Sequence, residues 1–233
     1  MRPSSCAPPS TPPADRSVDP TLRTPQTGRM TVWRFDGAIL GVGSTSGVRA
    51  VVGLWRETPF GPFADAMVAD ASGRRTLIAP TQEVASFIAE TYSFDEVVLA
   101  PVRARLSGRD VAFDGGDLHL RARLGERDLL GHALALLPRS VARSPRFSRL
   151  VSPAAHAIAG VRTFGTAGQG RSEAYGATDR RHVLALEATW HGEPLGDLSP
   201  VTPPVEFGFS STPAAPGLTR VTTTVASGAR HSS

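Results

Sequence analysis

Lysine is absent, so all 25 side chains counted as Lys plus Arg are arginine. A guanidinium keeps its proton and is not a nucleophile. This chain therefore offers no amine for a Schiff base, for pyridoxal-phosphate attachment or for the lysine of a P-loop. Asparagine is also absent, which removes N-linked glycosylation. Cys6 is the one cysteine, so no intrachain disulfide or cysteine-built metal site can form, and a cytoplasmic location is the default expectation. No apolar run reaches membrane-spanning length. The motifs G-x-S-x-G and H-E-x-x-H do not occur, and no two of the six histidines lie within five residues of each other. Neither a metal nor a cofactor is expected, although a site assembled from distant residues needs neighbours only in space.

What is present is a chain of 233 residues, 40% hydrophobic, with a net charge of +4. That is enough to bury one sizeable core, and the charge is too modest to establish a nucleic-acid site. Residues 1–29 carry seven prolines among Ser, Thr and charged residues and read as a disordered tail, with Met30 an alternative start. Residues 226–233 read as a second tail. Heavy use of Ala, Arg, Gly and Pro fits GC-rich coding, and the chemical exclusions hold whatever the cause.

Alternation of Val48, Ala50, Val52 and Leu54 against Arg49, Val51, Gly53 and Trp55 predicts a hairpin over 32–55, with Gly41, Gly43 and Gly47 at its bend. A rigid turn at 58–63 leads to a strand at 64–69 and a turn at 71–73. Thr81 is placed to cap a helix whose Val84, Ile88 and Tyr92 share one face. Strands at 97–106, 109–113 and 117–124 form a meander around an Asp114-Gly115 signal. A helix over 128–137 ends at Pro138, and a broken basic helix covers 140–159. Further strands fall at 161–166, 182–190, 205–209 and 218–225. With little βαβ alternation, the fold class is mainly β: a single antiparallel β-barrel or closed sandwich over 30–225, with a few covering helices.

Four clusters are candidates for chemistry. Leu118, Leu120, Ala122 and Leu124 on one face leave His119, Arg121 and Arg123 on the other, beside Arg103 and Arg105 of the neighbouring strand. Inside a barrel these would grip a carboxylate or phosphate; outside they are solvated, as one face of an antiparallel sheet commonly is. Arg139, Arg143, Arg146 and Arg149 recur at intervals of four, three and three, a basic stripe with Phe147 as its one aromatic. A nucleic acid would want more stacking groups, so the stripe reads foremost as a solvent-facing helix. Gly165-Thr-Ala-Gly-Gln-Gly170 fits no dinucleotide fingerprint and reads as a loop; beyond it Arg171, Glu173 and Tyr175 supply polar groups to a pocket or to an edge strand. Asp95 and Glu96 point to opposite strand faces, so at most one enters a pocket, where burial would raise its pKa; the alternative is an ordinary solvated turn.

The turn Pro59-Phe-Gly-Pro-Phe-Ala-Asp-Ala-Met-Val68, the helix Glu83-Val-Ala-Ser-Phe-Ile-Ala-Glu-Thr-Tyr-Ser-Phe94 and the strand that follows resemble the middle of acetoacetate-decarboxylase-like proteins. The resemblance covers Pro59 to Val102. It implies a closed, antiparallel, cone-like β-barrel around an apolar pocket. The family's Schiff-base lysine ends this motif, whereas here Tyr92-Ser-Phe94-Asp95-Glu96 ends in carboxylates. Without an iminium the carbanion left by decarboxylation has no electron sink, so only fold and pocket carry over.

The expected function is a small-molecule-binding β-barrel for an apolar or carboxylate-bearing metabolite, without Schiff-base decarboxylase activity. Trp33, Trp55, Phe60, Phe63 and Phe94 are candidate wall; Arg103, Arg105, His119 and Arg121 are candidate polar contacts. The alternatives are a general acid–base hydrolase or isomerase using Asp95, Glu96, His119 or Glu173, and an interaction module docking through the Arg139–Arg149 stripe. Retained small molecules are the expected partners; nucleic acid and a membrane span are not.

Overall fold

The computed structural model describes residues 31–138, 141, 144, 146–150, 152, 163–166, 171–205, 207–208 and 211–227. The expected tail at 1–29, with Cys6, and residues 228–233 of the tail expected at 226–233 lie outside these residues, whereas Ala226 and Ser227 end a strand. Arg139, Arg143, residues 153–162 and 167–170 of the glycine loop also lie outside them.

Strands β1 (Val32–Ser44), β2 (Arg49–Glu57), β3 (Phe63–Ala69) and β4 (Arg75–Ala79) precede helix α1 (Gln82–Ala89). Then come β5 (Glu96–Leu99), β6 (Val102–Ser107), β7 (Asp110–Gly115), β8 (Leu118–Arg127) and α2 (Leu129–Ala135). The remainder is β9 (Phe164–Thr166), β10 (Arg171–Trp190), β11 (Glu193–Pro194), β12 (Leu198–Ser199) and β13 (Gly217–Ser227). Pairing runs β5-β4-β3-β2-β1-β13-β10-β8-β7-β6, and every neighbouring pair is antiparallel except β4 with β5. The fold is thus mainly β.

Laid flat, ten strands would span about 43 Å. Yet the two edge strands β5 and β6 are consecutive in the chain, joined by Ala100 and Pro101, which span no more than about 11 Å from Leu99 to Val102. The sheet must therefore curl until its edges meet, and β6 comes to lie against β2 and β3. Pro101 explains why one expected strand over 97–106 is two: lacking an N–H, it breaks the ladder where the chain leaves one edge for the other.

The curl encloses one apolar core, with Leu40, Val52, Ala66, Ile78, Phe113 and Leu120 drawn from strands on both sides. On β1 and β2 these are the even-numbered positions, as the alternation predicts. The barrel interior is thereby filled by aliphatic side chains. Odd-numbered positions of β1, β2, β3 and β13 face the other way and are covered by α1, α2, residues 147–148, Val205, Phe207, residues 211–213 and Ala215. Gly41 and Gly43 lie within β1; the turn is Thr45 to Gly47, and Gly43 lets the backbone of Pro200 close in, since a Cβ there would sit 2.3 Å from the Pro200 carbonyl oxygen.

Each helix is held by a cap. Thr81 Oγ1 accepts from the N–H of Val84 at 3.3 Å, as expected, and α1 ends at Ala89 rather than Tyr92. Asp128 caps α2, its Oδ1 accepting from the N–H of Gly131 at 2.7 Å. Gly131 brings α2 directly onto β10: a Cβ there would lie 2.0 Å from the carbonyl oxygen of Arg180. Of the strand expected over 205–209, Val205, Phe207 and Gly208 are irregular and residues 206 and 209 lie outside the described residues, and β10 is continuous for 20 residues, joining the edge strand considered at Arg171–Tyr175 to the strand expected over 182–190. Among the described residues no helix is long and apolar enough to cross a membrane.

Candidate functional site

A cavity of about 380 Å³ lies between the odd-numbered sheet face and its helical cover. Its aromatic wall is built around Phe35, whose ring centroid lies 5.8 Å from Trp55, 6.5 Å from Phe63 and 5.2 Å from Phe87. Leu130 and Leu134 of α2 close the opposite side.

Two acids are buried in this apolar space. Glu173, 1% exposed, points inward from β10 because 173, 175 and 177 share the cavity face. Tyr92, placed just beyond α1 by its N–H bond to the Ile88 carbonyl, donates its hydroxyl proton to Glu173 Oε1 at 2.6 Å. The Tyr175 hydroxyl lies 2.8 Å from that of Tyr92, so the chain of donors runs Tyr175 to Tyr92 to Glu173. Glu173 Oε2 is buried and has no hydrogen-bond partner among the described residues. Burial pushes the Glu173 pKa up to about 7, against the opposing pull of the two tyrosines. Burial and the neighbouring Glu173 charge push both phenols well above their ordinary value.

Asp65, 2% exposed, lies on β3 and accepts from the Trp55 indole N–H at 2.8 Å. Burial raises its pKa to about 6 despite that hydrogen bond. Gly53, paired across the strands with Asp65, makes the contact possible: a Cβ there would fall 2.4 Å from both Asp65 Oδ1 and Trp55 Nε1. The buried Thr223 Oγ1, on the strand beside Tyr175 and between it and Phe35, also lacks a partner among the described residues.

Two arginines bear on the cavity: Arg180 lines it, with its buried Nε unpartnered among the described residues, and Arg171 lies two residues from Glu173 on β10. Arg180 holds Asp128 and donates to the Ala215 carbonyl at 2.7 Å. Arg171 holds Glu90, donates to Thr91 Oγ1 at 2.8 Å and lies over the rings of Phe87 and Trp33.

Of the residues singled out from sequence, Trp55, Phe63 and Glu173 line the cavity. Phe60 packs behind them on Phe35, Phe63 and Phe87, and Trp33 meets Phe87 edge-on at the rim. Phe94 lies against Phe207 and does not line the cavity. Asp95 pairs with Arg75 and Glu96 with Arg74 in exposed ion pairs, as the solvated-turn alternative has it.

Arg103, Arg105, His119 and Arg121 are exposed, and this corrects the expectation that they contact a ligand inside the barrel. The reason is that Leu118, Leu120 and Leu124 take the core side of β8, leaving its charged face to water. His119 and Arg121 both bind Asp114 there, while Arg105 and Arg121 border an open surface groove with Asp110, Arg123 and Glu187. Of the basic stripe, Arg146 and Arg149 are exposed and Arg149 lies over Phe164. Among the described residues no cluster of His, Cys, Asp and Glu could hold a metal ion.

Asp65, Tyr92 and Thr223 are members of the site that the sequence does not mark as such, whereas Tyr175 stands beside Glu173 among the polar groups assigned to a pocket or an edge strand. For Glu173 and Tyr175 the sequence carries a signal. Arg171, Glu173 and Tyr175 alternate with small residues on a strand that proves to be central, paired on both sides. A polar face on such a strand has either water or a polar cavity against it.

No family model and no curated protein matches the chain. Among solved structures it is similar to the crystal structure of acetoacetate decarboxylase from Legionella pneumophila subsp. pneumophila str. Philadelphia 1, with 9% identity over 92% of this chain and 96% of that one and a TM-score of 0.39.

Proposed function

We propose that the protein binds a compact, largely apolar small molecule between the sheet and its helical cover, with Glu173 anchoring the ligand's polar end. Phe35, Trp55, Phe63 and Phe87 form the apolar wall, and Tyr92 and Tyr175 hold the anchor in place. The observation that carries this reading is Glu173 Oε2, fully buried at the cavity with no partner among the described residues. Leaving such an atom unpaired costs about 1–3 kcal/mol or more, a cost that a bound ligand would remove. The volume lies in the ordinary range for small-molecule sites, about 300–1,000 Å³.

Native mass spectrometry of the protein isolated from its own host tests the reading. The expected result is a retained small molecule that is lost in the Ala177→Phe variant, where the added ring fills the cavity. A wild-type chain that carries no ligand and binds no apolar probe would sink it.

A second reading, a general acid–base enzyme, is favoured by the same group. A carboxyl held at about 7 is poised both to take and to give a proton near neutral pH. Its expected signature is deuterium wash-in alpha to the carbonyl of a bound aryl ketone, abolished by Glu173→Gln. Equal exchange in the variant and the parent would reject it.

A further inference from the structure

We infer that the polar end of the ligand is an ammonium group, so that the site takes an apolar primary amine, with its aryl or alkyl body against the aromatic wall. This rests on the cavity-binding reading above and adds the chemistry of the head group.

The first support is the kind of polar atom left open. Glu173 Oε2 and Thr223 Oγ1 are both buried without partners among the described residues, on neighbouring strands where Tyr175 pairs with Thr223 and Glu173 with Val225. Both accept hydrogen bonds, and an ammonium brings three donors and no acceptor.

Charge is the second support. The cavity holds two carboxyl groups, Glu173 and Asp65, whose identified partners are tyrosine hydroxyls and an indole N–H rather than cations. The cations within reach are held by other groups: Arg171, two residues along β10, by Glu90, Thr91 and the Phe87 carbonyl, and Arg180, on the cavity wall with its buried Nε unpartnered among the described residues, by Asp128 and the Ala215 carbonyl. A ligand cation would supply the missing countercharge, whereas an anion would meet two acids. The wall is the third support, because Phe35, Trp55, Phe63 and Phe87 present ring surfaces to which a desolvated cation is attracted.

The choice of head group predicts the direction of a pH effect. Around Glu173 the ionisable groups are Tyr92 and Tyr175, both held well above 10, the Arg171–Glu90 pair, and Asp65 across the sheet. Burial raises the two cavity acids, Glu173 to about 7 and Asp65 to about 6, into the range between mildly acid and mildly alkaline pH. An ammonium needs Glu173 ionised, so its binding strengthens as pH rises. A ketone needs Glu173 protonated as a donor, so its binding weakens.

Calorimetric titration of the full chain with phenethylamine, benzylacetone and hydrocinnamate separates these cases. Phenethylamine should bind best at about pH 8 and about tenfold more weakly at about pH 5.5, with a similar loss in Glu173→Gln at the higher pH. The pH arm uses the wild-type chain and does not depend on the variant folding. Tighter binding of benzylacetone, or binding that strengthens as pH falls, overturns the ammonium assignment and leaves the cavity reading standing. Preferential binding of hydrocinnamate does the same. If none of the three binds, the cavity reading fails with it.

Discussion

At about pH 8, Glu173→Gln should raise the thermal midpoint by about 5 °C and flatten the loss of stability that the parent shows between about pH 4.5 and about pH 7. Burial holds the Glu173 carboxyl at about 7 in the folded chain, against an ordinary glutamate value of 4.5. The folded state therefore keeps the proton more tightly than the unfolded state. The stability this confers is fully present below the unfolded value and is lost as pH rises through the folded one. The loss amounts to about 3 kcal/mol by the linkage between pKa and stability. Asp65 behaves in the same sense, losing its contribution as pH rises through about 6. Asp70, Asp95 and Asp114 run the other way: their hydrogen bonds lower their pKa values, so their contributions are lost only as pH falls below the ordinary aspartate range. Stability should thus peak in mildly acid solution. Gln keeps the oxygen that accepts from Tyr92 and removes the charge, so the variant and the parent should converge near pH 4.5 and diverge above it. Thermal melts across this range decide the matter, and a variant that is less stable at about pH 8, or that keeps the parent's slope, refutes the account.

The same carboxyl shows how far the sequence reaches. Local alternation is sufficient for β2 and β8, while β1 runs straight through Gly41 and Gly43, expected at a bend, and Thr81 marks the start of α1 through a cap that forms as expected. Those features depend on residues a few positions apart. The join at Pro101 could be read as a break within a strand, but not as the point where a curled sheet closes, because closure depends on strands far along the chain. For the site, Glu173 was named among the candidates, and so was the Arg103, Arg105, His119 and Arg121 face. On a single strand the two patterns look alike, polar groups alternating with small or apolar ones. What separates them is cover: α1, α2, Val205, Phe207 and residues 211–213 lie over the Glu173 face, while the β6–β8 face meets water. Tyr92 reaches the cavity from beyond a helix end, next to a glycine where a Cβ would lie 2.6 Å from its ring, a contact across more than a hundred residues.

Arg180→Met should destabilise the chain by about 3 kcal/mol, whereas Arg123→Met should change stability by less than about 0.5 kcal/mol. In a chain whose only permanent cations are arginines, burial decides which of them matter. Arg180 is 5% exposed, and burial pulls its pKa below the ordinary arginine value. It donates to the Ala215 carbonyl on one side and grips Asp128 on the other. Asp128 divides its two oxygens, Oδ1 capping α2 at Gly131 and Oδ2 facing Arg180. Removing the guanidinium leaves a largely buried carboxylate without its countercharge at the N-terminus of the helix whose Leu130 and Leu134 close the cavity. Arg123, by contrast, pairs with Asp110 in an exposed bridge, screened by water and salt. The loss at Arg180 should therefore appear twice, as a lower urea midpoint and as faster amide exchange confined first to residues 128–137. Equal effects of the two substitutions, or an exchange pattern that leaves α2 as protected as before, would show that this ion pair does not hold the cover over the cavity.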